Sequence, residues 1–142
     1  MPKLVRLALV VPTLAIMAVA SATVALADNG VNVSIDPTAT LTAKVEVAVT
    51  VTASCPSGWS TMFNSVSIEQ AVGKSIARGT AYMAGIQCTG ADQVIPVTIL
   101  ADPLGPPFKK GTAIVSASLS AFSYGGTFTG GSATANSEVK IR

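Results

Sequence analysis

The sequence predicts an all-β fold of about seven antiparallel strands packed as a β-sandwich, and three observations carry that expectation. Apolar residues recur at every second position over long stretches; clusters of Gly, Pro, Asp and Ser interrupt them about every 10 residues. No stretch carries the 3.6-residue period of an amphipathic helix. The chain is 49% hydrophobic but only 5% aromatic, so its apolar content is largely Ala and Val, with many Thr and Ser between. β-Branched residues suit a pleated, half-buried surface, and two packed layers can bury a thin core of this kind.

The first 27 of the 142 residues read as a separate segment. Lys3 and Arg6 precede an apolar run from Leu7 to Ala20, and Ala25-Leu26-Ala27 supplies an A-x-A cleavage site. That is the pattern of a secretory signal peptide over residues 1–27, leaving a single domain over 28–142. The run contains Pro12 and falls short of the roughly 20 apolar residues a spanning helix needs, so no stable membrane anchor is expected after cleavage. Lys3 and Arg6 leave with the leader, so residues 28–142 balance seven basic side chains against seven acidic ones. Without a basic excess, nucleic acid and anionic membranes are not expected partners.

Along the mature chain, VNVSID (31–36) reads as a first strand, and DPTAT turns it because Pro37 lacks a ladder donor and Asp36 can cap. LTAKVEVAVTVTASC (41–55) places Leu41, Ala43, Val45, Val47, Val49, Val51, Ala53 and Cys55 on one face, which predicts one long strand with Cys55 pointing inward. PSGWS is loop chemistry. MFNSVSIEQAV (62–72) alternates again, Gly73 and Lys74 turn the chain, and residues 75–88 read as one or two strands broken at Gly79 and Gly85. TGADQ is a turn. VIPVTILA (94–101) is a strand whose Pro96 assigns it to an edge or a bulge. DPLGPPFKKG is a rigid connection, and residues 111–124 form a second long strand with Ala113, Val115, Ala117, Leu119 and Ala121 inward. The Gly-rich GGTFTGGSATANS reads as a mobile loop or short hairpin, before SEVKIR as the last strand.

Several chemistries fail on residue type. The chain has no histidine, so it lacks the commonest general base and metal ligand, and histidine-dependent triads and zinc sites are excluded. GWSTM (58–62) begins like a nucleophile elbow, but Met62 stands where the second Gly belongs. VGKS (72–75) resembles the tail of a phosphate-binding loop, but Ile68 occupies the position of its first Gly. Asp28, Asp36, Glu46, Glu69, Asp92, Asp102 and Glu138 are solitary, without the spacing of a calcium loop and without an evident acid–base pair. No catalytic residue, cofactor or metal is expected. Asn32-Val33-Ser34 matches a glycosylation acceptor, which matters only in a eukaryotic secretory route.

Cys55 and Cys88 are the only cysteines, and a leader directs them to an oxidising compartment, so a disulfide is the default. A redox role would call for C-x-x-C or a thiolate activated by neighbouring cations, and neither is present. Trp59, Phe63 and Tyr82 admit two readings: packing on the disulfide, or an exposed aromatic surface that engages a partner.

Cys55, the run Val66, Ile68 and Gln70, Ala77 to Gly79, Ile86 to Gly90, Pro96 to Ile99, Pro107 to Ala113 and the terminal V-K-I-R together resemble small secreted actinobacterial domains of unknown function. Those carry a signal peptide, two cysteines and a C-x-G turn after the second. The resemblance covers about residues 31–142. It implies an immunoglobulin-like sandwich and brings no catalytic residues. A weaker similarity is to secreted chromoprotein apoproteins, which hold a small hydrophobic ligand in an immunoglobulin-like cleft but normally carry two disulfides.

The expectation is therefore a secreted, non-enzymatic interaction or structural domain, acting outside the cell or at its envelope on an extracellular protein or envelope component. The alternative is a carrier of a small hydrophobic ligand, its cleft framed by residues 125–135 and the DPLGPPF loop. A carboxylate-dependent hydrolase is the third reading.

Overall fold

A computed structural model describes Leu26–Ala27 and residues 29–142. The expected leader, residues 1–27, lies outside the described residues apart from Leu26–Ala27. The elements are β1 (Leu26–Ala27), β2 (Asn32–Ala43), β3 (Glu46–Ser54), β4 (Ser60–Val72), β5 (Ser75–Tyr82), β6 (Gln93–Leu100), β7 (Gly111–Tyr124) and β8 (Phe128–Ile141). The fold is all-β, with seven long strands. Among the described residues, no helix is long and apolar enough to cross a membrane.

The ladders run in the order β5-β4-β7-β8-β2-β3-β6, with β1 on β8. Every pairing is antiparallel except a short parallel step, where Thr38–Ala39 of β2 meets Lys140–Ile141 of β8. The two packed layers the sequence predicts are thus hydrogen-bonded to each other through β2 and form one mixed, curled sheet. Curling brings the outermost strands together: the Asp102 amide, just past β6, donates to the Arg78 carbonyl of β5 at 2.7 Å. Gly79 makes that approach possible. A β-carbon there would stand 2.7 Å from Ile99 Cγ2 and press on the Leu100 carbonyl oxygen.

One core fills the curl, and every long strand contributes to it: Val33 and Ala39, Val47 to Ala53, Val66 and Ile68, Ala77, Ile95 to Ile99, Val115 to Ala121, and Ala133 to Ile141. Alternation decides the membership, since β7 buries Ala113, Val115, Ala117, Leu119 and Ala121 and turns the residues between them outward. Burying a Val or Ile side chain stabilises by roughly 1.5–3 kcal/mol, so a core of small residues depends on many of them.

Four segments depart from the sequence reading. The alternating run at 41–55 is two strands, because Lys44–Val45 turn the chain between β2 and β3. The turn preserves the period of two, and alternation alone does not mark it. Pro37 sits inside β2 at the register shift between Ile35 and Ala39, a bulge where its missing N–H costs no ladder bond. Gly79 lies within β5, and residues 83–92 form a loop. The Gly-rich stretch is neither a mobile loop nor a short hairpin but most of β8, paired with β7 from Phe128 to Ile141. Small residues give way here to a continuous ladder, which supplies the backbone bonds that side chains do not.

Candidate functional site

Cys55, the buried residue just past β3, forms the expected disulfide with Cys88, their Cα atoms 4.8 Å apart. The backbone reinforces the joint: Gly90 N donates to the Cys55 carbonyl at 3.0 Å, and Gly58 N to the Cys88 carbonyl at 3.1 Å. Gly58 and Gly90 both adopt left-handed φ, 81° and 82°, which a side chain disfavours. The PSGW turn is thereby fastened to the 83–92 loop. No thiol remains, and the pair is a structural staple.

The three aromatic residues singled out by sequence part ways. Trp59 is half-buried and packs against the core. Phe63 and Tyr82 are 69% and 79% exposed, with Tyr82 opposite Ser65 in the β4–β5 ladder. Among the described residues, none of the three stacks on another aromatic ring.

The rings that do cluster are others, on the β7–β8 hairpin. Phe122 and Phe128 lie nearly parallel with centroids 6.0 Å apart. Tyr124 meets both edge-on, at 5.4 Å and 5.5 Å. Tyr124 pairs with Phe128 and Phe122 with Gly130 across the ladder. Phe122 and Tyr124 continue the outward register of β7 past Ala121, so the cluster faces outward. Gly130 leaves room for it: the Phe128 ring covers the position a β-carbon would take, 3.6 Å away. Such edge-to-face and offset pairs are worth roughly 0.5–1.5 kcal/mol beyond burial, enough to hold a preformed surface on an otherwise exposed hairpin.

Beside the cluster lies an open depression of about 330 Å³, lined by Met62, Ser120, Ala121, Phe122, Phe128, Gly130, Gly131 and Ser132. It contains no charged side chain. The carrier reading expected a cleft between residues 125–135 and the DPLGPPF loop; Phe128, Gly130, Gly131 and Ser132 of the first segment do line the depression, but its other wall comes from β4 and β7 and not from that loop. Phe108 of that loop is buried in the core. The signal for the cluster is present in SAFSYGGTF, where Phe122 and Tyr124 alternate with the inward Ala121. It is hidden once the glycines after Tyr124 are read as a loop.

Charged groups lie elsewhere. The Asp36 carboxylate accepts the Thr38 hydroxyl at 2.7 Å and the Thr38 amide at 2.8 Å. These bonds, the hydroxyl's first, hold its pKa below the usual aspartate range. Asp102 accepts the Leu104 amide at 2.9 Å, and Glu69 pairs with Arg78 at 3.0 Å on the surface. Ser60 of GWSTM begins β4, and Gly73–Lys74 of VGKS form the β4–β5 turn. Neither motif has the helix its chemistry requires.

Comparison with known proteins finds no matching family model, no matching curated protein and no matching solved structure.

Proposed function

We propose that this chain is a secreted, non-enzymatic interaction domain that works outside the cell or at its envelope through the outer face of β4, β7 and β8. The Phe122–Tyr124–Phe128 cluster carries the reading. Soluble proteins rarely display contiguous apolar surface unless something binds it, and aromatic side chains dominate the energetics of protein contacts. Met62, 50% exposed and lining the depression beside it, extends the surface. The disulfide fits an oxidising, extracellular setting. Asp36, Asp102 and Glu69 are engaged in local turns and an ion pair, and the chain has no histidine.

The strand order supports a finer reading as an immunoglobulin-like sandwich, in which β2-β3-β6 and β5-β4-β7-β8 would be the two antiparallel groups, bridged by one parallel step. That reading agrees with the resemblance to small secreted actinobacterial two-cysteine domains. A second function, carriage of a small neutral ligand, is favoured by one observation, the uncharged depression beside Phe122 and Phe128.

The test is expression of the full chain in a secreting host, followed by the intact mass of the exported protein and its sedimentation with isolated cell envelopes. The expected product begins at Asp28 and binds envelopes or a surface protein. A chain retained in the cytoplasm with residues 1–27 in place sinks the secretion reading.

A further inference from the structure

The ladder between β8 and β7 runs without a register shift from Ile141 to Phe128, so the backbone groups of β8 alternate sides in a fixed way. Both ends calibrate the alternation. At the carboxyl end, Arg142 N donates to the Ala39 carbonyl at 2.9 Å, and the Arg142 carbonyl accepts from Leu41 N at 3.0 Å. Near the start, the Gly130 carbonyl accepts from Asn29 Nδ2 at 2.7 Å. In an extended strand the N–H and C=O of one residue point together, and those of the next point oppositely. Gly130, Ser132 and Thr134 therefore turn their backbone groups away from β7, whereas Gly131, Ala133 and Ala135 bond to it.

Among the described residues, β2 covers this outward edge at its carboxyl end, from Lys140 to Arg142, through Thr38, Ala39 and Leu41. Before its bulge at Pro37, β2 has left β8 and pairs with β3 over Asn32–Ile35. In the gap, Leu26–Ala27 lie antiparallel against Thr134 and Ala133. They are the last residues of the predicted leader, so processing after Ala27 removes the strand that covers Thr134.

We propose that maturation turns the edge of β8 around Thr134 into a self-association site, which accepts β8 of a second copy in antiparallel orientation. The proposal rests on the secretion reading through cleavage after Ala27. An antiparallel segment of this same chain already occupies the edge, so the edge is competent to pair in that direction. A two-fold axis at Thr134 sets Gly130 opposite Glu138, where the Asn29 side chain must release the Gly130 carbonyl, and the pairing stops short of Lys140, which stays on β2; no like charges face each other. Gly130, Ser132 and Thr134 are small and uncharged, whereas edges that remain single are usually blunted by Lys, Pro or a bulge.

The experiment is sedimentation equilibrium of the exported chain over a rising concentration series, with its N-terminus fixed by intact mass. The mass should climb from one chain towards two. It should stay at one chain in Thr134→Pro, which deletes only an edge-facing N–H, and in Thr134→Lys, which places like charges on the axis at an exposed position. Thr134→Lys keeps the test sound if the proline variant fails to fold. A one-chain mass for the natural sequence at all concentrations, or association undiminished in Thr134→Lys, overturns the proposal. If the exported chain retains Leu26–Ala27, the secretion reading fails separately. Cutting after Ala27 through an inserted protease site then decides the edge: two-chain mass after the cut supports it, one-chain mass overturns it.

Discussion

Gln70 and the cysteine pair show how single side chains close the connections that strands leave open. Gln70 is buried, and its amide meets both backbone groups of Lys109: Nε2 donates to the Lys109 carbonyl at 2.7 Å, and Lys109 N donates to Oε1 at 2.8 Å. That clasp fixes the loop that seats Phe108 in the core. Gln93 repeats the device on Gln87, whose amide donates to Gln93 Oε1 at 3.1 Å. Gln70→Ala removes two part-buried hydrogen bonds and should cost about 1–3 kcal/mol. Chemical denaturation measures that loss, and hydrogen exchange should show the Lys109 amide unprotected. The Cys55–Cys88 bond spans 33 positions, and a closed loop of that size stabilises by roughly 3–4 kcal/mol in the chain-entropy model. The double substitution to Ser should lower the melting temperature by many degrees, and reductant should do the same to the natural chain. An unchanged melting temperature in both contradicts the staple.

At the scale of elements, the sequence speaks through alternation and is silent wherever alternation carries no information. β7 is legible because Ala113 to Ala121 alternate with polar residues, and β6 is legible as an edge because Pro96 cannot donate. The Lys44–Val45 turn is invisible because the period of two continues through it. β8 is hidden for a different reason: its first half is Gly, Ser, Thr and Ala, residues whose pairing is decided by the neighbouring strand. Trp59 was the conspicuous aromatic by sequence, yet the outward cluster belongs to Phe122, Tyr124 and Phe128, which come together only when β8 forms. Hydrogen exchange distinguishes strand from loop here. The amides of Gly131, Ala133 and Ala135 face β7 and should exchange slowly; rapid exchange at all three would return this stretch to a mobile loop.

For the whole molecule, the curl of the sheet depends on the contact between its two ends. Gly79→Ala presses a methyl group into Ile99 and the Leu100 carbonyl, and overpacking of this kind costs about 1–3 kcal/mol. Thermal unfolding should show that loss, while a surface glycine with open space around it, such as Gly126, makes no comparable steric demand. The curl also leaves β4, β7 and β8 with an outer face in solvent, on which the aromatic cluster stands. The central claim is that this face, held rigid by the ladder beneath it, is where the domain makes its contacts. The most direct measurement is binding of the exported protein to isolated envelopes, comparing the natural sequence with a Tyr124→Ser/Phe128→Ser double variant whose melting temperature is recorded alongside. The account predicts binding lost by at least tenfold, about 1.4 kcal/mol, with the fold retained. Undiminished binding by a folded double variant would contradict it.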